Sequence, residues 1–519
     1  MRLLLGIFLG IAACCAAADS AIQPFEKESG TRLIPPLSAT LDSLVVKRKA
    51  AGIPRTRMCS DEVFLRRVFL DVIGTLPTKE EAVAFLADKS EGKRAELINR
   101  LLERPEYADY WGMKWGDILR VKSEFPVNLW PNATQAYDAW IRASLRQNMS
   151  CSEFAHRLLT SEGSNFRDPP VNFLRAAGSR EPEALAAASA LTFMGERISN
   201  WPPKKRTDLA RFFSRVGFKK TKEWKEEIVF FDISRHEKKP AAAARLPDGT
   251  EVKLAPDADP REIFFQWLVT SPNSPFARNA ANRLWFWIFG KGIIQEPDDS
   301  RPDNPPSNPE LLAWLAKQLE SARYDTKHLL RIILNSDTYQ LSSIPPAGKS
   351  AAGPYVVRRL EAEVLIDAIN QITGSHEEYM SMIPEPFTFL PEAMRSIALP
   401  DGSITSSFLE LFGRPPRDTG LLAERTAEIT TTQRLSLLNS GDILSKISKS
   451  NKLNALIDTV QTPQEAVPLL YLTILSRYPT AEEKATIAAY DLTSKSGKKQ
   501  KMLDVAWALM NSPEFLYRH

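Results

Sequence analysis

The residues best equipped for chemistry lie between Pro297 and Pro309, where Asp298, Asp299, Arg301, Asp303 and Asn304 sit among prolines that restrict the backbone. Three carboxylates and an amide are hard oxygen donors that could suit calcium, but their spacing is not that of an EF-hand loop and Arg301 lies among them. Two of the carboxylates could serve as acid and base in glycoside hydrolysis, a task that needs a set separation which neighbours in a proline-rich loop do not establish. Just upstream, Arg278 and Asn282, and Asn279 and Arg283, fall at i,i+4 spacing, so a helix lines them along one side. His328 follows the loop on a later helix. Cations beside a pinned acidic loop make either a site or an ion-pair staple. The staple is the plainer reading, with Asp299 expected to neutralise a buried arginine.

Two further groups deserve the same weighing. Arg358, Arg359 and Arg417 belong to arginine-rich phrases, and guanidinium forks bind carboxylates, sulfates and phosphates through paired hydrogen bonds. They could line a groove for an anionic glycan, or lock helices together through buried Arg–Glu pairs, the commoner use. Trp111, Trp115, Trp140, Trp285, Trp287 and Trp314 fall in helical segments, where tryptophan is ordinarily core; Trp130, before Pro131 in an apparent loop, is the best candidate for an exposed platform. The sequence holds no glycine-rich phosphate loop, no GxSxG elbow and no HExxH.

The elements that position these residues are mostly helices. Leu284 to Phe289 is an unbroken apolar run, and Gly290 and Gly292 end its helix. Asn308 or Ser307 caps the next helix, which turns Leu311, Leu312 and Leu315 inward, and a following helix ends near Asn335. In the N-terminal half, helices are expected at 38–51, 60–73, 78–86, 91–103, 106–121, 133–147, 151–161, 181–197 and 205–214. The chain turns Lys- and Glu-rich from Lys219 to Lys239 around the strand-like Ile228–Phe231, and Ala241 to Leu254 reads as a hairpin turning at Asp248-Gly249. Beyond a linker at 345–354, a helix is expected from Tyr355, then a long loop at 375–403 and helices at 431–447, 463–476 and 501–512. The fold expected is mainly α, two helical domains joined by a short β-hairpin or ribbon segment: 38–218, 219–258 and 259–519.

Composition narrows the function classes. With 519 residues, 43% hydrophobic and 25% charged, the chain has the make-up of a globular protein of several domains. A net charge of +4 is too mild to imply nucleic acid or anionic lipid, and five histidines leave little for histidine-based metal sites. At the N-terminus, Arg2, the apolar run Leu3–Ala13 and Ala16-Ala17-Ala18 form a secretory signal with cleavage before Asp19, ahead of a flexible leader at 19–37. Ile11-Ala12-Ala13-Cys14 also resembles a lipobox, so Cys14 could carry a lipid, the only membrane attachment expected. Cys59 and Cys151 could form a disulfide in an exported protein or remain two thiols. The two ends echo each other: Pro77-Thr78-Lys79-Glu80-Glu81 recurs as Pro479-Thr480-Ala481-Glu482-Glu483, and Arg104-Pro105-Glu106-Tyr107 as Ser512-Pro513-Glu514-Phe515. Either a helical hairpin was duplicated or both places use the same good helix start.

The stretch from Asn282 to Ser343, with NRLW, DDSR, NPPSNPELLAW and YDTKHLLRIILNSDTYQLSS, resembles the C-terminal domain of planctomycete and verrucomicrobial cytochrome-associated proteins. FLRRVFLDVIGTLPTKEEAVAFL, RLLERPEYADYWGMKWGDILR and VNFLRAAGSREPEALAAASALTFMG resemble the PSCyt-type N-terminal partner of that PSD-type domain. The resemblance spans about residues 38 to 519, and the family has no defined activity. Many relatives carry CxxCH after the phrase matched here by Phe193-Met194-Gly195, whereas this chain continues Glu196-Arg197-Ile198-Ser199-Asn200-Trp201-Pro202-Pro203. Covalent haem needs two neighbouring thiols and a following histidine, so no cofactor is expected. The leading expectation is an exported, periplasmic or cell-surface protein that binds or scaffolds without catalysis, with glycan or envelope proteins as partners. The alternatives are a hydrolase of extracellular, perhaps sulfated, polysaccharide using Asp298, Asp299 and nearby arginines, and a cytochrome-like protein with a degenerate haem site.

Overall fold

Local capping chemistry sets where the helices begin and end. In the computed structural model, which describes residues 34–48, 57–235, 243–343, 355–494 and 496–519, Ser60 caps the Asp61–Ile73 helix by accepting the Val63 N–H, and Gly74 closes it in the left-handed conformation. Ser274 opens the central Pro275–Phe289 helix and Gly290 ends it, while Asn308 rather than Ser307 caps Pro309–Ser321. The expected helices appear with boundaries moved by a few residues. The first begins at Pro36, and the segment 431–447 breaks into Thr431–Asn439 and Gly441–Ser448 at a serine that caps the second helix. The signal segment with Cys14, most of the leader and the whole 345–354 linker lie outside the described residues.

The fold is mainly helical, 58% by residue, with small antiparallel sheets between and beside the helices. The expected hairpin forms from Ala243–Arg245 and Glu251–Lys253. The strand-like Ile228–Phe231 forms the strand Glu227–Phe231, but its partners were not expected: Val216–Lys220 pairs with one edge and Gly163–Ser164 with the other. Where a helix was expected from Tyr355, the chain is extended. Arg358–Arg359 pairs with Tyr517–Arg518, and the helix starts only at Ala362. Pairing with a strand more than 150 positions away leaves no local signal. Cys59 and Cys151 are separate buried thiols.

Both Pro-Thr-x-Glu-Glu segments form complete capping boxes, Thr78 with Glu81 and Thr480 with Glu483. The likeness extends into three dimensions. Arg104 bridges Glu81 at 2.7 Å to Glu106 at 2.5 Å, and Arg477 bridges Glu483 to Glu514, both at 2.7 Å.

One contiguous core runs through both halves, from Leu41 to Leu516. Charge is carried into it on the Asp61–Ile73 helix. Arg66 donates to Ile474 O and Phe515 O, and Arg67 to Tyr339 O and His519 O. One turn on, Asp71 accepts from Tyr339 and Tyr355 at 3.0 and 2.9 Å and pairs with Arg518 at 3.1 Å, both ionic side chains being wholly buried. Asp71→Ala therefore takes from Arg518 one of its two carboxylates, Glu361 being the other, and leaves two phenols without their acceptor. A stability loss of about 3–5 kcal/mol is expected in urea unfolding, and a loss of under about 1 kcal/mol would contradict the packing described.

Candidate functional site

The central helix supplies the first set of candidate side chains. Arg283, 2% exposed, reaches across to the end of the Pro182–Met194 helix, donating to Leu191 O at 2.7 Å and to Thr192 O. The Nη2 that donates to Leu191 O also meets Asp298 Oδ1 at 2.9 Å, and Asp298 Oδ2 accepts the Leu422 N–H at 2.6 Å. Asn279 donates to the same Thr192 carbonyl, and Asn282 pins the turn beyond Gly290 by accepting the Ile293 and Ile294 N–H groups at 2.8 and 2.9 Å. The i,i+4 register does line these groups along one side, Asn279 and Arg283 gripping one carbonyl and Asn282 a different part of the chain. Arg278 is half-buried, and its charge favours the ionised form of Glu196.

The buried arginine is thus neutralised by Asp298 and not by Asp299. Asp299 faces Arg301 at 3.2 Å, Arg301 faces Asp303 at 3.4 Å, and the arginine is half-exposed. Asn304 closes the loop by donating to Gln295 O and Asp299 O. With both oxygens of Asp298 taken and Arg301 between the other two acids, the loop is a staple. Among the described residues no group of three His, Cys, Asp or Glu side chains is placed to hold a metal ion. His328 lies in the first turn of Thr326–Leu334, where its backbone N–H meets the Asp325 cap, and it is not part of this cluster.

The second set of arginines forms two more staples. Arg358 donates to Trp287 O and Ile288 O at 3.0 Å, placing a cation at the negative C-terminus of the central helix. Arg359 holds Phe412 O and Thr426 O. Arg417 donates to Asp117 Oδ1 at 3.0 Å, beside Gly116, where an added Cβ would lie 2.9 Å from the guanidinium carbon. Arg425 links Asp117 to Glu363 at 2.8 and 2.7 Å, and Arg414 adds to Glu363 at 3.3 Å. Asp71 and Asp117 were not singled out from the sequence. Each is a lone acid inside an apolar run, and that is the signal that could have found it, since a buried charge needs a partner.

Glu361 belongs to a third network with Lys114 at 3.1 Å and Arg518. Burial pushes its carboxyl up, but Arg518, Lys114, Arg425 and Arg358 outweigh that and hold it well below the usual range. The same arginines repel Lys114, which burial pushes down to about 8 against the pull of Glu361. Glu363 is also held low, because Arg425 and Arg414 overcome its burial.

The segment where relatives carry CxxCH is a turn without thiol or imidazole. Glu196 accepts the Trp201 indole N–H at 3.1 Å, and Lys205 lies over that ring at 3.9 Å. Burial raises the Glu196 carboxyl above its usual value, although Lys205, Trp201 and Arg278 oppose the rise. These residues do not fit covalent haem. The turn instead backs onto the acidic loop, with Ser300 N–H on Gly195 O at 2.8 Å.

Of the tryptophans, Trp111, Trp285 and Trp287 are buried, and Trp115, Trp140 and Trp314 pack against the core. Trp130 lines a surface cleft.

Two family models match. Residues 40–208 match PSCyt2, a protein of unknown function (DUF1549), and residues 260–490 match PSD1, a protein of unknown function (DUF1553). The chain is a PSCyt2–PSD1 protein. No curated protein and no solved structure matches it. The ribbons from Val216 to Lys253 fall between the two matched regions, and two of the networks join those regions: Arg283–Asp298 lies within PSD1 but grips the last turn of the PSCyt2 helix, while Asp117 and Glu363 stand on opposite sides.

Two outcomes follow. Asp298→Ala is expected to cost about 3–5 kcal/mol by leaving Arg283 buried without its counter-charge, and Asp299→Ala about 0–1 kcal/mol; the reverse order in urea unfolding would contradict the assignment. Unfolded glutamates take up protons near pH 4.3, as quoted for model peptides, at about which point folded Glu361 and Glu363 are still ionised. The unfolded state then binds more protons, so their contribution is whole above that pH and is lost as pH falls towards their folded values. Urea midpoints should drop steeply below about pH 4.3, and Glu361→Gln should flatten that slope.

Proposed function

We propose that this PSCyt2–PSD1 protein is an exported, non-catalytic binding or scaffold protein of a cell-envelope assembly, with glycan or envelope proteins as partners. The observation that carries this reading is the dispersal of the candidate chemical groups. Asp298 with Arg283, and Arg359, Arg417 and Asn282, are engaged in buried contacts at different places, and His328 lies outside the Arg283–Asp298 cluster. A general acid or base must reach the proton it moves, and Asp298 has both oxygens committed. Export rests on the signal-like segment from Arg2 to Ala18, with the mature chain starting at Asp19 or at an acylated Cys14. Among the described residues, no helix is long and apolar enough to cross a membrane.

The rival reading, a hydrolase of sulfated or other extracellular polysaccharide, places its acid and base at Asp298 and Asp299. The experiment that separates the two incubates mature protein with sulfated, uronic and neutral polysaccharides and assays reducing ends. The expected outcome is no turnover above a heat-denatured control. Turnover that disappears in the folded Asp299→Asn variant would overturn the non-catalytic reading.

A further inference from the structure

Every exposed phenylalanine and tryptophan among the described residues lies on one of three loops. Phe125 belongs to 122–130, Trp224 to the turn between Val216–Lys220 and Glu227–Phe231, and Phe387 and Phe389 to the long 375–395 segment, where Met380 and Met382 are also exposed. The loops come from the PSCyt2 region, the connector and the PSD1 region, and they converge on Trp130. Its ring meets Trp224 edge-on at 6.3 Å and Phe387 at 5.5 Å. Beside Trp130 is a cleft of about 310 Å³, lined by Glu124, Phe125, Asn128, Trp130, Arg175 and Lys225 among others, which Trp224 and Phe387 adjoin through their contacts with the Trp130 ring. That volume is at the small end for ligand sites.

The cleft is built rather than incidental. Leu129 N–H meets Lys122 O, and Trp130 N–H meets Ser123 O at 3.1 Å. Ser123 N–H is held by Asp401 Oδ1 at 3.0 Å and Glu124 N–H by Ser403 Oγ at 3.1 Å. Asn128 and Trp130 keep φ values of 58° and 74°, a conformation that non-glycine residues hold only when the surroundings enforce it. Two charges in the cleft lack an ionic or hydrogen-bonded partner. Glu124 Oε1 is buried with no donor. The Lys225 ammonium makes no ion pair among the described residues and rests 4.9 Å from the Trp130 ring centre and 5.3 Å from that of Trp224.

An occupant that satisfies all of these groups needs an apolar face for the indoles, hydroxyl donors for Glu124 and an anion for Lys225. A pyranose with a sulfate or carboxylate substituent supplies the three together. A lipid surface would meet a recessed carboxylate in a concave site, which disfavours anionic headgroups. We propose that this cleft binds a segment of anionic polysaccharide, its sugar face on Trp224 and Trp130, a hydroxyl on Glu124 and its anionic group on Lys225. The proposal rests on the binding reading above and names the surface and ligand class for it.

The test titrates the intact mature protein with three probes, a chondroitin sulfate hexasaccharide, hexagalacturonate and neutral cellohexaose, by calorimetry and tryptophan fluorescence. At least one anionic probe is expected to saturate and to bind about tenfold or more tighter than cellohexaose. Trp224→Ala and Lys225→Ala should each weaken it by about tenfold, the scale of one stacked ring or one lost charge contact, and Glu124→Gln should weaken it less. Trp224 is 64% exposed, so its removal should leave the unfolding midpoint unchanged. Unchanged affinity in Trp224→Ala/Lys225→Ala would refute the cleft while leaving the binding reading intact. Failure of all three probes, or a response only to anionic vesicles or a peptide, would refute the polysaccharide assignment. Cleavage of a bound probe that is lost in Trp224→Ala would support the cleft and overturn the non-catalytic reading instead.

Discussion

A charge taken out of water is tolerable only when a partner of opposite sign and enough hydrogen bonds go with it. This chain buries many such charges and draws the partners from opposite halves. Asp117 on the Pro105–Ile118 helix meets Arg417 and Arg425, and Asp71 on the Asp61–Ile73 helix meets Arg518. Each pair is satisfied only when the two halves are docked. A hydrophobic contact tolerates sliding, but a fork of hydrogen bonds does not, so the networks fix the register of one half on the other. The short Arg358–Arg359 strand pairing with Tyr517–Arg518 carries the same lock through the backbone.

That constraint changes what the arginine-rich, acid-rich phrases mean. The groups that look most chemical in the sequence are largely those that hold the fold together, and most of their donors and acceptors are engaged inside it. Arg358, for instance, finishes the C-terminus of the central helix, and Asp298 joins Arg283 to the Leu422 N–H. The rigid frame leaves chemistry to the surface. Three loops that the networks hold in place meet at Trp130, and Asp401, which orients Ser123, also has its carbonyl gripped by Arg414.

Much of the fold was legible because helix caps and glycine stops are local. Thr78 with Glu81 and Ser274 before Pro275 announce their helices from within a few residues. The hairpin at Asp248-Gly249 was legible for the same reason. The strands Val216–Lys220 and Arg358–Arg359 were not, because their pairing partners and burial come from elsewhere in the chain. At the acidic loop, the staple was legible but its carboxylate was not: Asp298 and Asp299 are neighbours of one type, and only the turn decides which faces Arg283. The loop that carries Trp130 was legible from Pro131, although the ring itself is half-buried rather than fully exposed. Trp224 and Phe387 were not, since nothing in their own segments places them beside it.

The central claim is that the buried ion networks make the PSCyt2 and PSD1 regions one cooperative unit. Native-state hydrogen exchange in rising urea tests it most directly, comparing amides of the Pro105–Ile118 helix with those of Ala362–Thr373. The account predicts that both sets converge on a single opening free energy, and that Arg425→Leu lowers the two together. Exchange of Ala362–Thr373 at a lower free energy, with Pro105–Ile118 still protected, would contradict it.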